Sequence, residues 1–391
     1  MRILISGAGI GGLTLAYWLQ KTGHEVVVIE KADDVRTAGY MIDFAGSSWD
    51  VANRMGMIPE LEAVSHKIEE LDFKNAQGKT VVRLPMEKLY RALKISDRYL
   101  NLDRRDIIEA LYNLVHDKVE ICFGTSLTAI NQSMQGVEVT TKGSPLDGTF
   151  DLVVGADGVH SNVRQLIFGD ESQYSDYLGY YVAAFYTQAV TEKLEAGCVV
   201  HVEPNVQFGM YSLGTDRWLV IPIYKSADEG YIPPHQRLDV LRSHLRNVGW
   251  IAQDVLGGVS PDTPIFLDTV TQVKLPKWSS NRVVLIGDAA YCPSLISGQG
   301  AALAMAGAYL LTEALNKTSD FQTALADYEK QLRPHVDLIQ AKARKFAPTF
   351  VPDNQLKIMM MNWAMRLVDF PPVTRIFGKQ LTFESLIPAA S

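Results

Sequence analysis

Gly7-Ala8-Gly9-Ile10-Gly11-Gly12 near the start, and Gly287-Asp288-Ala289-Ala290 with Gly298-Gln299-Gly300 near the end, are the strings whose residue types and spacing point to chemistry. The first follows the apolar run Ile3-Leu4-Ile5 and opens the stretch Leu13 to Leu19, the strand, turn and helix setting in which glycines cradle a dinucleotide. Gly7 permits the tight turn, Gly9 lets the backbone approach a pyrophosphate, and Gly12 lets helix and strand pack closely; the helix N-terminus adds free N–H groups and partial positive charge. Glu30 closes a second apolar strand, Val26-Val27-Val28-Ile29. Its carboxylate suits ribose hydroxyls and would repel a 2′-phosphate. Lys31, the next residue, is a further cofactor-binding candidate. A glycine string alone is also an ordinary βα turn, but strand, spacing and terminal acid favour FAD or NAD, and the two end motifs together favour a tightly held FAD.

Between these ends, the apolar strand Phe150 to Gly155 delivers Asp157-Gly158, and the string continues Val159-His160-Ser161-Asn162-Val163-Arg164. Ligands of open α/β sheets bind at the carboxyl ends of strands, so Asp157 is expected where flavin phosphates or an incoming nicotinamide would be met. Asp288 also suits a helix N-cap. His160 reads as structural rather than catalytic. The eight histidines show no metal-ligand spacing, so no metal is expected, and no side-chain nucleophile or general-base dyad is required.

The elements that must position these strings follow from periodicity. Arg2 to Ser6, a helix from Gly12 to Lys21 and Glu25 to Glu30 form a βαβ start to a parallel sheet. Tyr99 to Leu102 is expected as a strand running into a helix, Arg104 to Val115, with short strands at Val119 to Phe123, Leu127 to Asn131, Val137 to Thr141 and Phe150 to Gly155. From Tyr177 to Val273 the strands lengthen (Tyr180 to Thr187, Val199 to Glu203, Gln207 to Leu213, Trp218 to Tyr224, Phe266 to Val273), interrupted by a helix from Pro234 to Val248. Val283 to Ile286 then returns to the first sheet. Helices follow at Gly300 to Asn316, Phe321 to about Phe346 and, after a break at Pro348 and Pro352, Asn354 to Val368. The last carries Leu356, Met359, Met360, Trp363 and Leu367, read first as a core-packing face.

The fold class is therefore α/β: a Rossmann-type FAD-binding domain with a parallel sheet (1–70, 98–170 and 275–345), interleaved with a mostly antiparallel-sheet substrate domain (71–97 and 171–274), and a C-terminal helical segment (346–391) bridging the two. A chain of 391 residues, 47% hydrophobic and 21% charged, is ordinary for a soluble protein. A net charge of −7 gives no footprint for nucleic acid or an anionic membrane, which leaves a small-molecule partner. Arg2 is the only basic residue before the glycines, no apolar run approaches a membrane span, and three cysteines without metal spacing read as reduced thiols, so a cytoplasmic monomer without a leader is expected.

Taken together the three strings resemble the single-component FAD-dependent aromatic hydroxylases, the group that includes para-hydroxybenzoate hydroxylase, over nearly the whole chain. The resemblance implies that Arg36 and Arg104 contact FAD, that Glu30 holds the adenosine ribose, that Asp288 binds the ribityl chain, and that Gly298, Gly300 and Ala301 present backbone N–H groups to the flavin N1–C2=O edge. The chain departs from that pattern at Tyr291-Cys292-Pro293-Ser294, where the family has histidine after the G-D-A-A string, and at Leu295, where it has proline. This variant, with Gly39-Tyr40-Met41-Ile42-Asp43, Thr271-Gln272-Val273-Lys274 and the extra C-terminal helix, is similar to the tetracycline-inactivating flavin monooxygenases, the tetracycline destructases. It implies that NADPH visits transiently to reduce FAD, that O2 adds at flavin C4a, and that the hydroperoxide oxygenates tetracycline or another phenol or enol. It also makes Met359, Met360 and Trp363 candidate pocket walls. Phe185, Phe208, Met210 and Ile221 on the central sheet are further candidates, with ordinary core packing equally open. The rivals are a hydroxylase of another phenolic compound and a flavin-binding redox protein without oxygenase activity.

Overall fold

The structure is a computed structural model of the 391-residue chain and describes residues 1–35, 39–92, 95, 97–146, 148–188, 190, 194, 197–214, 216–367 and 384–387. The chain opens with β1 (Arg2–Ser6), α1 (Ile10–Lys21) and β2 (Glu25–Ile29). There follow β3 (Met41–Ala45), α2 (Ser47–Met55), α3 (Ile58–Val64), the hairpin of β4 (Glu70–Lys74) and β5 (Thr80–Pro85), α4 (Met86–Ala92), β6 (Tyr99–Asp103), α5 (Arg104–Val115) and β7 (Glu120–Cys122). Next come the hairpin of β8 (Ser126–Gln132) and β9 (Val137–Lys142), then β10 (Leu152–Gly155), α6 (Asn162–Phe168), β11 (Ser175–Thr187), β12 (Cys198–Glu203), β13 (Val206–Ser212) and β14 (Trp218–Lys225). The remainder is α7 (Arg237–Leu245), α8 (Ala252–Gly257), β15 (Phe266–Val273), β16 (Ser279–Ser280), β17 (Val283–Leu285), α9 (Asp288–Tyr291), α10 (Gly300–Lys317), α11 (Phe321–Phe350) and α12 (Gln355–Arg366).

Two sheets carry the architecture. The first has the order β16-β17-β10-β1-β2-β7 and is parallel except at its β16 edge. Ile3 pairs with both Val26 and Leu152, and Val153 with Val283, so the strands that precede the three glycine-bearing strings lie side by side. Ile3, Leu4, Ile5, Val153 and Val154 are wholly buried, which explains their unbroken apolar runs: both faces of this sheet are covered. The second sheet, β15-β11-β14-β13-β12-β4-β5, is antiparallel except where β12 meets β4 (Cys198 opposite Leu71). The sequence reading contained no strands in the β4–β5 segment, although Leu71 and Phe73 face Leu84 and Val82 across it. β3 and β6 form a separate two-stranded ribbon, Asp43 opposite Asn101 and Ala45 opposite Tyr99.

Two helical expectations change. The segment expected as one helix from Pro234 to Val248 is a 3-10 turn followed by α7, which stops at Leu245, and α8 is a further short helix. α11 does not end before Pro348; it runs on to Phe350 with Pro334 and Pro348 inside it. Each proline forfeits a backbone hydrogen bond. Burial of Ala347 beneath the last turn and of Val351 just beyond it, together with the Phe346–Phe350 ring contact at 5.9 Å, offsets that loss. α12 is capped by Asn354, whose side chain accepts from the Lys357 N–H at 3.0 Å, as a helix starting there requires. Its expected end, Val368, lies outside the described residues.

α10 threads close to its neighbours. A Cβ on Gly307 would lie 2.0 Å from the Tyr291 hydroxyl, which itself receives the Tyr328 hydroxyl of α11 at 3.1 Å. Glycine is therefore required by contact, against its poor helix propensity. Gly307→Ala is expected to lower stability by about 1–3 kcal/mol in urea unfolding despite the gain in propensity; an unchanged or higher midpoint would contradict this packing.

Candidate active site

The β1–α1 turn is built by steric need. Gly7 has φ +112°, and a Cβ there would sit 2.5 Å from the Ala156 carbonyl oxygen, in the turn that leaves β10. A Cβ on Gly12 would lie 1.9 Å from the Gly7 oxygen. Gly9 differs: a Cβ there would meet nothing within 4 Å. It is the N-cap of α1, with no side-chain cap and no acid in the first turn, so no side chain of the helix itself competes for the N–H groups at its start. That is the form a pyrophosphate cradle takes. Glu30 is 5% exposed and held by the N–H groups of Ala8 and Ala32, each at 3.0 Å. A carboxylate placed there is an acceptor of the kind that suits a ribose diol. Lys31 is exposed beside it, and Arg36 lies outside the described residues.

The β10 turn is knitted internally. Asp157 accepts from the Ser161 hydroxyl at 2.5 Å and from the Val163 N–H at 3.0 Å, while Ser161 caps α6 through the Arg164 N–H. Burial raises the Asp157 carboxyl despite these donors. Its side chain thus shapes the loop, and its backbone is the part that meets Gly7. Arg164 carries a role that the sequence reading left unassigned. It is 1% exposed and donates to the Ala289 carbonyl at 3.0 Å, the Val159 carbonyl at 2.6 Å and Glu171 at 3.0 Å. A buried guanidinium binds the G-D-A-A segment to the β10 turn. His160 bridges Glu171 (2.8 Å) and Asp268 of β15 (3.1 Å), a structural brace as its sequence context suggested.

At the third string, Gly287 (φ +60°) precedes Asp288, the first residue of α9. Burial raises the Asp288 carboxyl, and the neighbouring Arg104 guanidinium works the other way. Arg104 begins α5, its N–H donating to the Tyr40 carbonyl at 3.1 Å; its guanidinium makes no hydrogen bond or ion pair among the described residues. The Tyr40 hydroxyl is pushed up to about 12, chiefly by burial. Gly298 (φ +64°) turns the chain into α10, whose first residues Gly300 and Ala301 open on the same space as Asp288. Gln299 caps α10 without a side-chain bond, so the dipole and N–H groups of an 18-residue helix point there.

That space is a cavity of about 490 Å3 between the third string, the β3–β6 ribbon, the second sheet, the end of α11 and α12. Sheet parity decides which candidates reach it. Gln207, Gly209 and Tyr211 of β13 and Ile221 and Ile223 of β14 line it, so Ile221 lies where expected. Phe208 and Met210 are wholly buried, and Phe185 nearly so, on the opposite face against Leu238, Leu241 and Leu245 of α7. They are core, not pocket. Met359 is corrected too: it is 66% exposed, as are Met360 and Trp363 to about the same degree, while Met361, Ala364 and Met365 of α12 line the cavity. The sequence reading missed Asp43, Tyr99 and Asn101, which also line it.

Residues 1–343 match the family model described as FAD binding domain. A flavin-dependent monooxygenase of Legionella longbeachae is 30% identical over 351 residues, covering 87% of each chain. Among solved structures, tetracycline destructase Tet(55) superposes with a TM-score of 0.83 at 25% identity, over 99% of this chain and 98% of that one. Klebsiella pneumoniae HpxO, complexed with FAD and uric acid, shares the fold at 19% identity with a TM-score of 0.80, over 99% and 98% of the two chains. The chain belongs to this FAD-binding family and is a flavin-dependent monooxygenase.

Two outcomes follow from this geometry. Glu30→Gln keeps the side chain's size but removes its charge, and weakens FAD binding about tenfold, read from flavin fluorescence after dilution; unchanged retention would remove Glu30 from the cofactor site. His160 has its pKa raised from 6.5 to about 10 by hydrogen bonds to Asp268 and Glu171. With the folded value above the unfolded one, the brace stabilises fully below pH 6.5, declines from there, and is gone above about pH 10. The Tm difference between wild type and His160→Gln should shrink along that course; a difference independent of pH would contradict it.

Proposed function

We propose that this flavin-dependent monooxygenase oxygenates tetracyclines, with NADPH as a transient reductant and O2 as the second substrate. The observation that carries the reading is the cavity: about 490 Å3, opening on the Asp288 and Gly298–Ala301 turns and extending between apolar side chains of the second sheet, α11 and α12. Its size and its few convergent polar groups suit a rigid polycyclic substrate. The likeness to Tet(55), at 25% identity and a TM-score of 0.83, supports the same reading.

Bound FAD supplies the redox chemistry, taking electrons from a nicotinamide and delivering one oxygen atom from O2 to an electron-rich carbon. The chain's own residues bind, orient and keep the site dry. The Gly9 cradle and Glu30 would hold the dinucleotide half. Asp288 would accept from hydroxyls of the sugar chain, and the α10 N-terminus would favour negative charge accumulating at the Gly298–Ala301 turn. Ile221, Ile223, Phe346, Phe350, Met361 and Met365 make an apolar wall that excludes water from the reacting atoms. A tetracycline's ionised enol and phenol groups bring their own electron density, so positioning is the main demand on the protein.

The test follows NADPH consumption and tetracycline absorbance together in the FAD-loaded protein, with mass spectrometry of the product. A product heavier by one oxygen atom, formed in step with NADPH loss, is expected. NADPH oxidation that leaves the drug intact would move the activity to another phenol or enol.

A further inference from the structure

α12 carries an apolar face on the side turned away from the cavity. Among the large apolar side chains exposed in the described residues, Leu356, Met359, Met360 and Trp363 are the only ones gathered on one element, each 63–67% exposed. They fall at i, i+3, i+4 and i+7, one stripe of a helix. On the other side Ile358, Met361 and Met365 pack with Val82 and Leu84 of β5, the edge strand of the second sheet. Arg366 fastens the same end of α12 to that edge, donating to the Val81 carbonyl at 2.8 and 3.1 Å. Single apolar side chains on a surface need no explanation, but a contiguous stripe rimmed by polar groups marks a contact surface.

The order of residues along the stripe says which partner fits. Leu356 and Trp363 are equally distant from the point midway between Met359 and Met360, and so are the exposed Asp353 and Arg366. A twofold axis through that point sets two copies of α12 antiparallel. Leu356 then meets the partner's Trp363, Met359 meets the partner's Met360, and Asp353 stands level with the partner's Arg366. An interface between identical copies requires this reciprocity. Lys357 comes level with the partner's Asn362, so no like charges meet. Parallel helices would instead set Asp353 against the partner's Asp353 and Arg366 against the partner's Arg366. The helix from Gln355 to Arg366 contains no acid, so the chain's net charge of −7 is not concentrated on this face. A lipid surface would ask only for apolar side chains, in any order.

We propose that the outer face of α12 is a homodimer interface, formed with a second copy of this chain in antiparallel register about Met359 and Met360, in place of the monomer expected from the sequence. The Leu356–Trp363 pairs and the adaptable central thioethers make its apolar core. The Asp353–Arg366 pairs at the rim fix direction rather than strength, because Asp353 already accepts from Lys357 at 2.9 Å. The pairing presses α12 onto β5, which steadies the cavity wall made by Met361 and Met365. A helix face of this size lies at the low end of specific interfaces, so the dimer is concentration-dependent.

Sedimentation velocity of the FAD-loaded full chain over a dilution series reads the assembly. A dimer at about 100 μM that dissociates on dilution is expected. Trp363→Glu and Met360→Glu should each weaken it about tenfold or more, with the bound-flavin spectrum reporting an intact fold. Register is read by cross-linking with a short bismaleimide, wild type serving as the blank for the native cysteines. Asp353→Cys mixed with Arg366→Cys should link, and neither variant alone should, because like positions lie about 20 Å apart along the antiparallel pair. A monomer at every concentration up to about 100 μM, a dimer that Trp363→Glu leaves unchanged, or linkage within either variant alone and not in the mixture would each overturn the inference. So would sedimentation with phosphatidylcholine vesicles in place of dimer formation.

Discussion

The close approach of the β1 turn to the backbone leaving β10 is the constraint on which the remainder of the site depends. Because residue 7 has no side chain, the Ala156 peptide can occupy the place of its Cβ, and the carboxyl ends of two adjacent parallel strands become one surface. Arg164 extends that surface to the third strand by donating to the Ala289 carbonyl. Burying a guanidinium is costly, and burial lowers its pKa; bonds to two carbonyls and to Glu171 offset that cost. Three strings separated by more than a hundred residues are thereby held as one rigid platform, with Gly9 open on one side and Asp288 on the other. A small displacement at either contact would separate the Gly9 turn from the Asp288 turn.

The second sheet meets a different requirement, since it must form a core and a cavity wall with the same strands. β13 does this by alternation: Phe208 and Met210 fill the space against α7, whereas Gly209, between them, turns its missing side chain to the cavity and leaves volume there. β14 repeats the arrangement with Val220 in the core and Ile221 in the cavity. Large side chains on the helix face and a glycine on the other leave the sheet an open pocket, at the cost in strand stability that an interior glycine carries.

This division explains what the sequence made legible. The β1 strand and the helix from Arg104 to Val115 match expectation to the residue, because an unbroken apolar run and a clear helical stripe each have one interpretation. The glycine strings were equally legible, since only glycine tolerates a positive φ with a carbonyl 2.5 Å from its Cβ position. Parity was not legible in β13, where one face is core and the other lines the cavity, and Phe208 and Tyr211 look alike to a periodicity argument. α12 failed for the same reason: Ile358-Met359-Met360-Met361 offers an apolar stripe at almost any rotation. Asp43 and Tyr99 were hidden differently, because their partnership depends on β3 and β6 pairing across the intervening α2 to α4 segment.

The two halves of the site thus have different freedoms. On the proposed reading the cofactor half is made by backbone: turns, helix starts and the space left by absent side chains, so its residue types are nearly forced. The substrate half is made by side chains that alternate across non-local pairs, and a change at Gln207, Tyr211 or Ile221 alters the cavity without touching the ladder that carries it. α12 has most latitude of all. It contributes Met361 and Met365 to the wall while leaving Met359, Met360 and Trp363 on the outside, and a flexible thioether adapts to many shapes. The cavity wall can therefore change shape through side chains alone, whereas the β3–β6 ribbon beside it is pinned from below by the buried Phe44 and Leu102.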